Sequence, residues 1–224
     1  MNLTHPFLDE DGDKLREECG VFGAVNATDA SAVTALGLHA LQHRGQEAAG
    51  ITSFNGTEFF TLRGLGHVAE NFSSQEAIAE LPGMMAAGHV RYSTTGGSGL
   101  RNIQPLYADL ASGGFAVAHN GNISNAGMLR EDLVRRGSIF QSTSDTEVII
   151  HLVATSRYPT IMDRLIDALR LLEGAYALIV MTPEGMIACR DPLGIRPLQM
   201  GRIGDATLFA SETVAFDVVG AEFV

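Results

Sequence analysis

The chain has 224 residues, of which 46% are hydrophobic, and a formal net charge of −11. This length and hydrophobic content suffice for one large domain or two small ones with a buried core. The acidic balance argues against nucleic acid or an anionic membrane surface as a partner. Two cysteines are too few for a disulfide framework or a four-thiolate metal site, so a reducing, cytoplasmic location is expected.

The first 18 residues are predicted to lie outside the fold. They are rich in acidic residues without a helical or alternating period, and they lack the basic and apolar regions of a secretory signal. The longest purely apolar run of the chain, residues 175–181, is far too short to cross a membrane. We therefore predict a pro-segment or flexible tail at residues 1–18 and no membrane span.

The first half of the chain alternates apolar patterns with turn signals. In chain order these predict a strand at residues 21–25, a helix that starts at Thr28 or Asp29 and ends at Gly45, a hairpin at residues 49–54 and 57–63 around Asn55-Gly56, a helix at residues 73–81 and a strand at residues 85–92. Residues 93–102, rich in glycine and serine, are predicted to be either a mobile lid or a plain surface loop.

The second half continues with hairpins and paired helices. The patterns predict a strand at residues 115–119, a helix at residues 124–136 closed by Gly137, a helix begun by a capping box of Ser144 and Glu147, a helix at residues 160–172, a hairpin at residues 176–181 and 186–190, a strand near Leu208 and a helix start at residues 211–213. Strands in hairpins together with helices in pairs indicate an α+β fold with antiparallel sheets.

Cys19 stands between the acidic leader and the first predicted strand. If residues 1–18 were removed, Cys19 would carry a free α-amine with a reference pKa of roughly 7.7–8.0. Such an amine can serve as the base that activates the thiol. The alternative is a small buried hydrophobic residue, which describes most free cysteines. From these residues alone, both interpretations stay open.

Polar residues end predicted strands or begin a helix at three further places. Arg91 ends a strand, where it can bind a carboxylate through two hydrogen bonds or form a surface ion pair. Asn120 and Gly121 offer an amide side chain and an unobstructed N–H, which suit either an oxyanion hole or a tight turn. Asp145, in the first turn of a helix, can accept hydrogen bonds from a ligand ammonium or interact with the helix dipole.

Other polar residues are given structural interpretations. His43, His89 and His119 lie in apolar surroundings and are interpreted as core or hydrogen-bonded residues rather than catalytic ones. Residues 41–46 close the first predicted helix and are candidates to support Cys19. No histidine or glutamate spacing resembles a metal site.

Six motifs occur in order along the chain. They are Cys19-Gly-Val-Phe-Gly, Leu41-Gln-His-Arg-Gly-Gln-Glu-Ala-Ala-Gly, Gly88-His-Val-Arg-Tyr-Ser-Thr, His119-Asn-Gly-Asn-Ile, Ser144-Asp-Thr-Glu-Val and Arg190-Asp-Pro-Leu-Gly-Ile-Arg-Pro-Leu. Together they resemble the class II glutamine amidotransferase domain and, more narrowly, the glutaminase half of amidophosphoribosyltransferases, which begin de novo purine synthesis. The resemblance extends from Cys19 to the last residue.

The resemblance implies an N-terminal-nucleophile hydrolase fold, which is a four-layer αββα sandwich with two antiparallel sheets. It also implies that residues 1–18 are a pro-segment removed autocatalytically and that residues 19–224 form the glutamine amidotransferase domain. The implied roles are Cys19 as nucleophile with its α-amine as base, Asn120 and Gly121 as the oxyanion hole, Arg91 on the α-carboxylate of glutamine, Asp145 on its α-amino group, Thr94 as a further hydrogen bond to the substrate, and Arg44, grouped with the substrate-binding residues, as a residue that orders the site.

The activity implied by the resemblance is hydrolysis of glutamine to glutamate and ammonia, with the ammonia used to form phosphoribosylamine. Similar full-length chains continue into a phosphoribosyltransferase domain that binds phosphoribosyl pyrophosphate. No such stretch occurs here, so we expect the chain to be a fragment. No cofactor is expected in this chain; magnesium and, in parts of the family, a [4Fe–4S] cluster belong to the absent half. The full-length protein is expected to be a homo-oligomer.

Two alternatives to this function remain at the level of the sequence. One is the glutaminase domain of another class II amidotransferase, such as glucosamine-6-phosphate synthase. Residues 42–46, Tyr92 and residues 191–198 fit the purine enzyme better. The other is a non-catalytic scaffold domain in which Cys19 is uncleaved and buried.

Overall fold

The computed structural model describes residues 19–92 and 99–224. Within these ranges the strands are β1 (Gly20–Val25), β2 (Ala48–Phe54), β3 (Phe59–Leu65), β4 (Met85–Arg91), β5 (Leu106–Leu110), β6 (Gly113–Ile123), β7 (Gly174–Thr182), β8 (Gly185–Arg190), β9 (Gln199–Ile203), β10 (Ala206–Ala210) and β11 (Glu222–Phe223). The helices are α1 (Ala30–Ala40), α2 (Val68–Phe72), α3 (Gln75–Ala79), α4 (Ala126–Arg135), α5 (Thr146–Thr155), α6 (Ile161–Leu169) and α7 (Val214–Val219). Among these described helices, none has the length and apolar character needed to span a membrane.

The described strands form two antiparallel sheets. The larger sheet has the order β11-β9-β10-β1-β4-β2-β3, and the smaller one has the order β5-β6-β7-β8. The first strand of the chain lies inside the larger sheet, with β10 on one side and β4 on the other. Gly20 pairs with Val90 at the end of this ladder, so Cys19 and Arg91 lie next to each other where β1 begins and β4 ends.

Three hydrophobic clusters divide the described part of the chain into four layers. One cluster lies between the larger sheet and α1, α2 and α7, and it includes Phe22 and Phe216. A second lies between the smaller sheet and α4, α5 and α6, with Leu133 fully buried in it. The third joins the two sheets through side chains such as Val21 and Ala118. The order is therefore helices, sheet, sheet, helices, and the predicted αββα sandwich is confirmed.

Successive side chains of β1 point to opposite faces of the sheet, and this alternation determines which hydrophobic cluster each side chain joins. Val21 packs between the sheets, whereas Phe22 packs on the helical side. Gly37 of α1 lies directly over the Phe22 ring, because a Cβ at residue 37 would be 2.3 Å from ring carbons. A glycine at this position lets α1 approach the sheet closely.

Several predicted boundaries differ from the structure. The hairpin at Asn55-Gly56 is present, but its loop is longer than two residues, because the Asn55 side chain accepts the N–H groups of Thr57 and Glu58 at 2.9 Å each. Asp29 precedes α1 as predicted, yet its side chain makes no capping hydrogen bond. The sequence missed β5, β9 and α2, which have five residues each and are too short to show a clear period.

The capping box predicted for Ser144 and Glu147 is wrong. The carboxylate of Glu147 accepts hydrogen bonds from the backbone N–H groups of Gln141 and Ser142, at 2.8 and 2.7 Å, rather than from the residue that starts the helix. Ser144 accepts the N–H of Thr146 at 3.3 Å. Glu147 therefore fixes the loop before α5 instead of closing a local capping box.

Candidate active site

A polar cavity of about 430 Å³ opens beside the start of β1, next to β4, β6, the start of α5 and the turn after β8. Its described lining includes Cys19, Arg91, Gly121, Asp145 and Arg196. These five residues belong to five different motifs of the sequence, and the fold brings them onto one surface. A cavity that combines a thiol, guanidinium groups and a carboxylate suits a small zwitterionic ligand.

Cys19 is held at the head of β1 by contacts of its backbone. Its nitrogen donates to the Arg44 carbonyl oxygen at 2.9 Å, and its carbonyl oxygen accepts from Arg44 Nε at 2.7 Å. Its Sγ lies 3.7 Å from the carbonyl oxygen of Tyr92. The φ of Cys19 is +65°, in a region that residues other than glycine adopt rarely. The nitrogen and the thiol of Cys19 are thus both fixed at the cavity edge.

Arg44 lies behind Cys19 and is not among the described residues that line the cavity. Its side chain is 1% exposed, and besides the Cys19 carbonyl it binds Oε1 of Glu212. Glu212 also contacts Nε2 of His43 at 3.1 Å. Burial raises the pKa of Glu212, but the hydrogen bonds from Arg44 and His43 outweigh it and hold this pKa below its ordinary value. Arg44 is therefore placed to order the Cys19 backbone, and its position does not support direct contact with a substrate.

Asn120 and Gly121 lie within β6 and not in a turn. Gly121 pairs with Tyr176 across the β6–β7 ladder and has a φ of +145°. A Cβ at residue 121 would lie 2.1 Å from the carbonyl oxygen of Ala175, so this position requires glycine. The tight-turn alternative left open by the sequence is thereby excluded, and the strand brings Gly121 to the cavity.

The Asn120 side chain is completely buried and is not among the described residues that line the cavity, although its chain neighbours His119 and Gly121 are. Neither its amide nitrogen nor its amide oxygen has a hydrogen-bond partner among the described residues. A buried amide without partners is costly, and in native proteins such groups often belong to a functional site. The unused N–H group is the kind of donor that an oxyanion hole needs.

Arg91 and Asp145 supply opposite charges to the cavity. Arg91 ends β4, and Asp145 stands just before α5, where it makes no capping hydrogen bond to the helix. Asp145 Oδ2 instead accepts the N–H of Ile123 at 3.0 Å, and Oδ1 lies 3.7 Å from Nδ1 of His119. Burial alone raises the pKa of Asp145, but His119 and the backbone N–H groups outweigh it and lower the pKa to about 2. Asp145 is therefore a stable anion at neutral pH.

Two histidines, His89 and His119, are among the described residues that line the cavity, a position that the sequence did not predict. His89 is fully buried, and burial, His119 and Arg91 lower its pKa to about 3, so its ring is neutral at pH 7. His119 Nδ1 contacts Oγ1 of Thr146 at 3.0 Å. A signal existed for His89, because it stands two residues before Arg91 on the same strand and therefore shares its face.

Thr94 and residues 93–98 of the predicted lid lie outside the described residues. The end of that segment, Leu100–Asn102, forms a short 3-10 helix. The side-chain amide of Asn102 donates to Oγ1 of Thr143 at 2.9 Å, and its oxygen accepts the N–H of the same residue. The loop is thus anchored at this end next to the cavity.

Known proteins resemble this chain along its whole length. An amidophosphoribosyltransferase of Rhizobium etli is 53% identical over 227 residues, which cover 100% of this chain and 46% of that protein. An amidophosphoribosyltransferase of Bacillus subtilis is 48% identical over 94% of this chain and 44% of that protein. The chain spans about half the length of the curated relatives it matches.

Solved structures resemble the fold described above. The glutamine phosphoribosylpyrophosphate amidotransferase of B. subtilis, complexed with ADP and GMP, has a TM-score of 0.87 and 46% identity, covering 92% of this chain and 44% of that one. A glutamine aminotransferase class-II domain protein of Silicibacter pomeroyi, at 12% identity and a TM-score of 0.58, shares the fold alone. A family profile described as a glutamine amidotransferase domain matches residues 89–218, more than half of the chain. The chain belongs to this family of glutamine amidotransferase domains.

Proposed function

We propose that this chain hydrolyses L-glutamine to L-glutamate and ammonia with Cys19 as nucleophile, after residues 1–18 have been removed. The observation that carries this proposal is the position of Cys19 at the head of a central strand, with its thiol in a cavity shared by Arg91, Gly121 and Asp145. Removal of the preceding residues turns the nitrogen of Cys19 into an α-amine. Removal also abolishes the φ angle of +65°, because that dihedral angle is defined by the carbonyl carbon of the preceding residue.

The charges of the cavity match the two ends of the glutamine zwitterion. The Arg91 guanidinium binds the α-carboxylate, and the ionised Asp145 accepts hydrogen bonds from the α-ammonium group. Thr94, following the family resemblance, adds a hydrogen bond to the substrate. With both charged ends held, the neutral carboxamide is left to face Cys19.

The chemistry then proceeds in two steps. The α-amine takes the thiol proton of Cys19, and the thiolate attacks the side-chain carbonyl carbon to form a C–S bond. The negative oxygen of the tetrahedral intermediate accepts hydrogen bonds from the Asn120 amide and the Gly121 N–H. The C–N bond breaks, the nitrogen takes up the proton, and ammonia leaves. Water hydrolyses the γ-glutamyl thioester, which releases glutamate and restores the thiol.

For the whole protein, we extend the proposal to amidophosphoribosyl transfer. The support is the identity of 53% and 48% to amidophosphoribosyltransferases, which exceed this chain in length by about twofold. In that protein the ammonia reacts with phosphoribosyl pyrophosphate to form phosphoribosylamine for purine synthesis, in a cytoplasmic homo-oligomer. The phosphoribosyltransferase part, together with any magnesium site, lies outside the residues of this chain.

Two measurements on the purified protein test the glutaminase function. N-terminal sequencing is expected to find Cys19 as the first residue, and a glutamate-release assay is expected to show turnover of L-glutamine. Cys19→Ser should abolish this turnover. Cys189→Ser is the matched control, because this thiol lies away from the cavity and burial raises its pKa to about 11. Unchanged turnover in the Cys19→Ser variant would refute the mechanism.

A further inference from the structure

The turn that follows β8 is organised around one buried carboxylate. Asp191 is 3% exposed, and each of its carboxylate oxygens accepts two backbone N–H groups. The donors, at 3.0–3.3 Å, are Leu193 and Ile195 to Oδ1 and Tyr176 and Arg196 to Oδ2. Since charge-assisted hydrogen bonds are stronger than neutral ones, these four bonds fix the turn in one conformation.

This turn presents Arg196 to the cavity that contains Cys19. The neighbouring side chains of Leu193 and Ile195 are exposed, at 84% and 59%, whereas Arg196 lines the cavity. The fixed charges among the described lining residues are the guanidinium groups of Arg91 and Arg196 and the carboxylate of Asp145. The cavity therefore carries one more cation than the single cation and single anion that a zwitterion requires.

The one anionic group of the bound glutamine zwitterion is its α-carboxylate, so this group is the partner for a second cation. The reacting oxygen becomes negative only in the tetrahedral intermediate, where it has its own donors, Asn120 and Gly121. A carboxylate has about four acceptor positions on its two oxygens, so a bidentate Arg91 leaves positions for a second guanidinium. A second donor is what a fixed Arg196 can supply.

We propose that Arg196, positioned by Asp191, is a second guanidinium for the α-carboxylate of glutamine. The inference rests on the function proposed above and adds a binding residue to the same site. Two guanidinium groups make the site specific for a free α-carboxylate. An analogue whose α-carboxylate is replaced by a carboxamide, and glutamine within a peptide, lose the interactions with both groups.

Steady-state kinetics with two substrates test this role. For Arg196→Gln we expect the KM for L-glutamine to rise roughly 10- to 100-fold with little change in kcat, because a hydrogen-bonded charge pair is lost. For the α-amide of glutamine, which has no α-carboxylate, the variant should behave like the parent. Arg196→Lys, which keeps the charge but loses the fork geometry, should give an intermediate KM. Arg190→Gln, at the end of β8 and outside this cavity, is the matched control and should leave the KM and kcat for both substrates unchanged.

The outcomes separate this inference from the function on which it rests. A parent chain with Cys19 at its N-terminus that does not hydrolyse L-glutamine overturns the proposed function, and the inference with it, before any substitution is made. An active parent whose KM for L-glutamine is unchanged in Arg196→Gln overturns the inference alone. If Arg196→Gln loses the same factor in kcat/KM for both substrates, the inference is also overturned, because equal losses indicate general disruption of the site.

The positioning role of Asp191 has its own test. Asp191→Asn exchanges one acceptor oxygen for an amide that cannot accept the N–H groups, so it should raise the KM for L-glutamine in the same direction as Arg196→Gln. Combined in one chain, the two substitutions should raise the KM for L-glutamine little more than Arg196→Gln alone, since both act through the Arg196 side chain. Fully additive effects would show that Asp191 does not act through Arg196, and thermal unfolding of each variant verifies that the fold is kept.

Discussion

Replacing Asn120 with leucine is expected to remove activity while increasing stability. Both polar atoms of the Asn120 amide are buried without a hydrogen-bond partner among the described residues. A buried polar group without a partner costs roughly 1–3 kcal/mol, whereas an apolar side chain of similar size avoids that cost. The neighbour Ala118 on the same face of β6 packs in the apolar cluster between the sheets, so the leucine has apolar surroundings. We therefore expect the free energy of unfolding to rise by about 1–3 kcal/mol.

The same substitution removes one donor of the proposed oxyanion hole. Loss of one such donor lowers kcat roughly 100- to 1,000-fold, while substrate binding through Arg91 and Asp145 is retained, so KM should change little. The measurements are urea denaturation followed by circular dichroism and a glutamate-release assay on the same preparation. The size of the loss in kcat depends on Asn120 donating a hydrogen bond only in the intermediate, as expected of an amide that has no partner in residues 19–92 and 99–224.

Asn125→Leu is the matched control for this experiment. The Asn125 amide donates to the carbonyl oxygen of Leu171 at 2.8 Å and accepts the N–H of Glu173 at 3.1 Å, away from the cavity. Its removal should lower the free energy of unfolding by roughly 1–2 kcal/mol and leave kcat unchanged. An Asn120→Leu variant that keeps the parent kcat, or that unfolds more easily than the parent, would refute the reasoning.

Three further predictions follow from the geometry and the pKa values. Gly121→Ala should lower the free energy of unfolding by roughly 2–4 kcal/mol in urea denaturation, because its Cβ would lie 2.1 Å from a carbonyl oxygen at a φ of +145°; parent-like stability would contradict the strain. Because burial lowers the pKa of His89 to about 3, the unfolded chain binds a proton between pH 7 and pH 5 that the folded chain does not. The free energy of unfolding of the parent should therefore fall by about 2 kcal/mol from pH 7 to pH 5, and that of His89→Gln by clearly less. Equal losses in the parent and the variant, measured by urea denaturation at both pH values, would exclude His89 as the source. Because the pKa of Asp145 is lowered to about 2, its contribution of about 2 kcal/mol to stability is present above pH 4 and lost as the pH falls towards 2. In Asp145→Asn the free energy of unfolding should lack this loss between pH 4 and pH 2. An acid unfolding transition identical to that of the parent would contradict the contribution of Asp145.

Local sequence patterns predicted most of the elements that position the site. The strand after Cys19, the strand that ends at Arg91 and the helix that follows Asp145 are all present. These predictions succeed because apolar alternation and turn residues act over a few positions. The pattern failed where a residue had a long-range alternative, as at Glu147, whose carboxylate binds the preceding loop instead of forming a capping box.

The sequence pointed to residues 41–46 as support for Cys19, but the partner that fixes Arg44, Glu212, could not be predicted from local patterns. Arg44 and Glu212 are 168 positions apart in the chain, and only the packing of the 3-10 helix after α1 against the turn before α7 brings them together. Nothing in the surroundings of Glu212 marked it beyond a helix start. The family resemblance grouped Arg44 with the substrate-binding residues and gave it the role of ordering the site; the structure places it behind the nucleophile, where it binds the Cys19 carbonyl oxygen.

The sequence by itself determined the types of most of the longer secondary-structure elements, the order of the motifs and the family, because these depend on residues that are near one another in the chain. The tertiary structure alone decided that Cys19, Arg91, Gly121, Asp145 and Arg196 share one cavity. It also decided that the Asn120 amide stays buried without a partner among the residues that the structure describes and that His89 stays neutral. The physical reason is that hydrogen bonding, burial and electrostatic fields depend on neighbours in space, and in an αββα sandwich these neighbours come from strands and turns far apart in sequence.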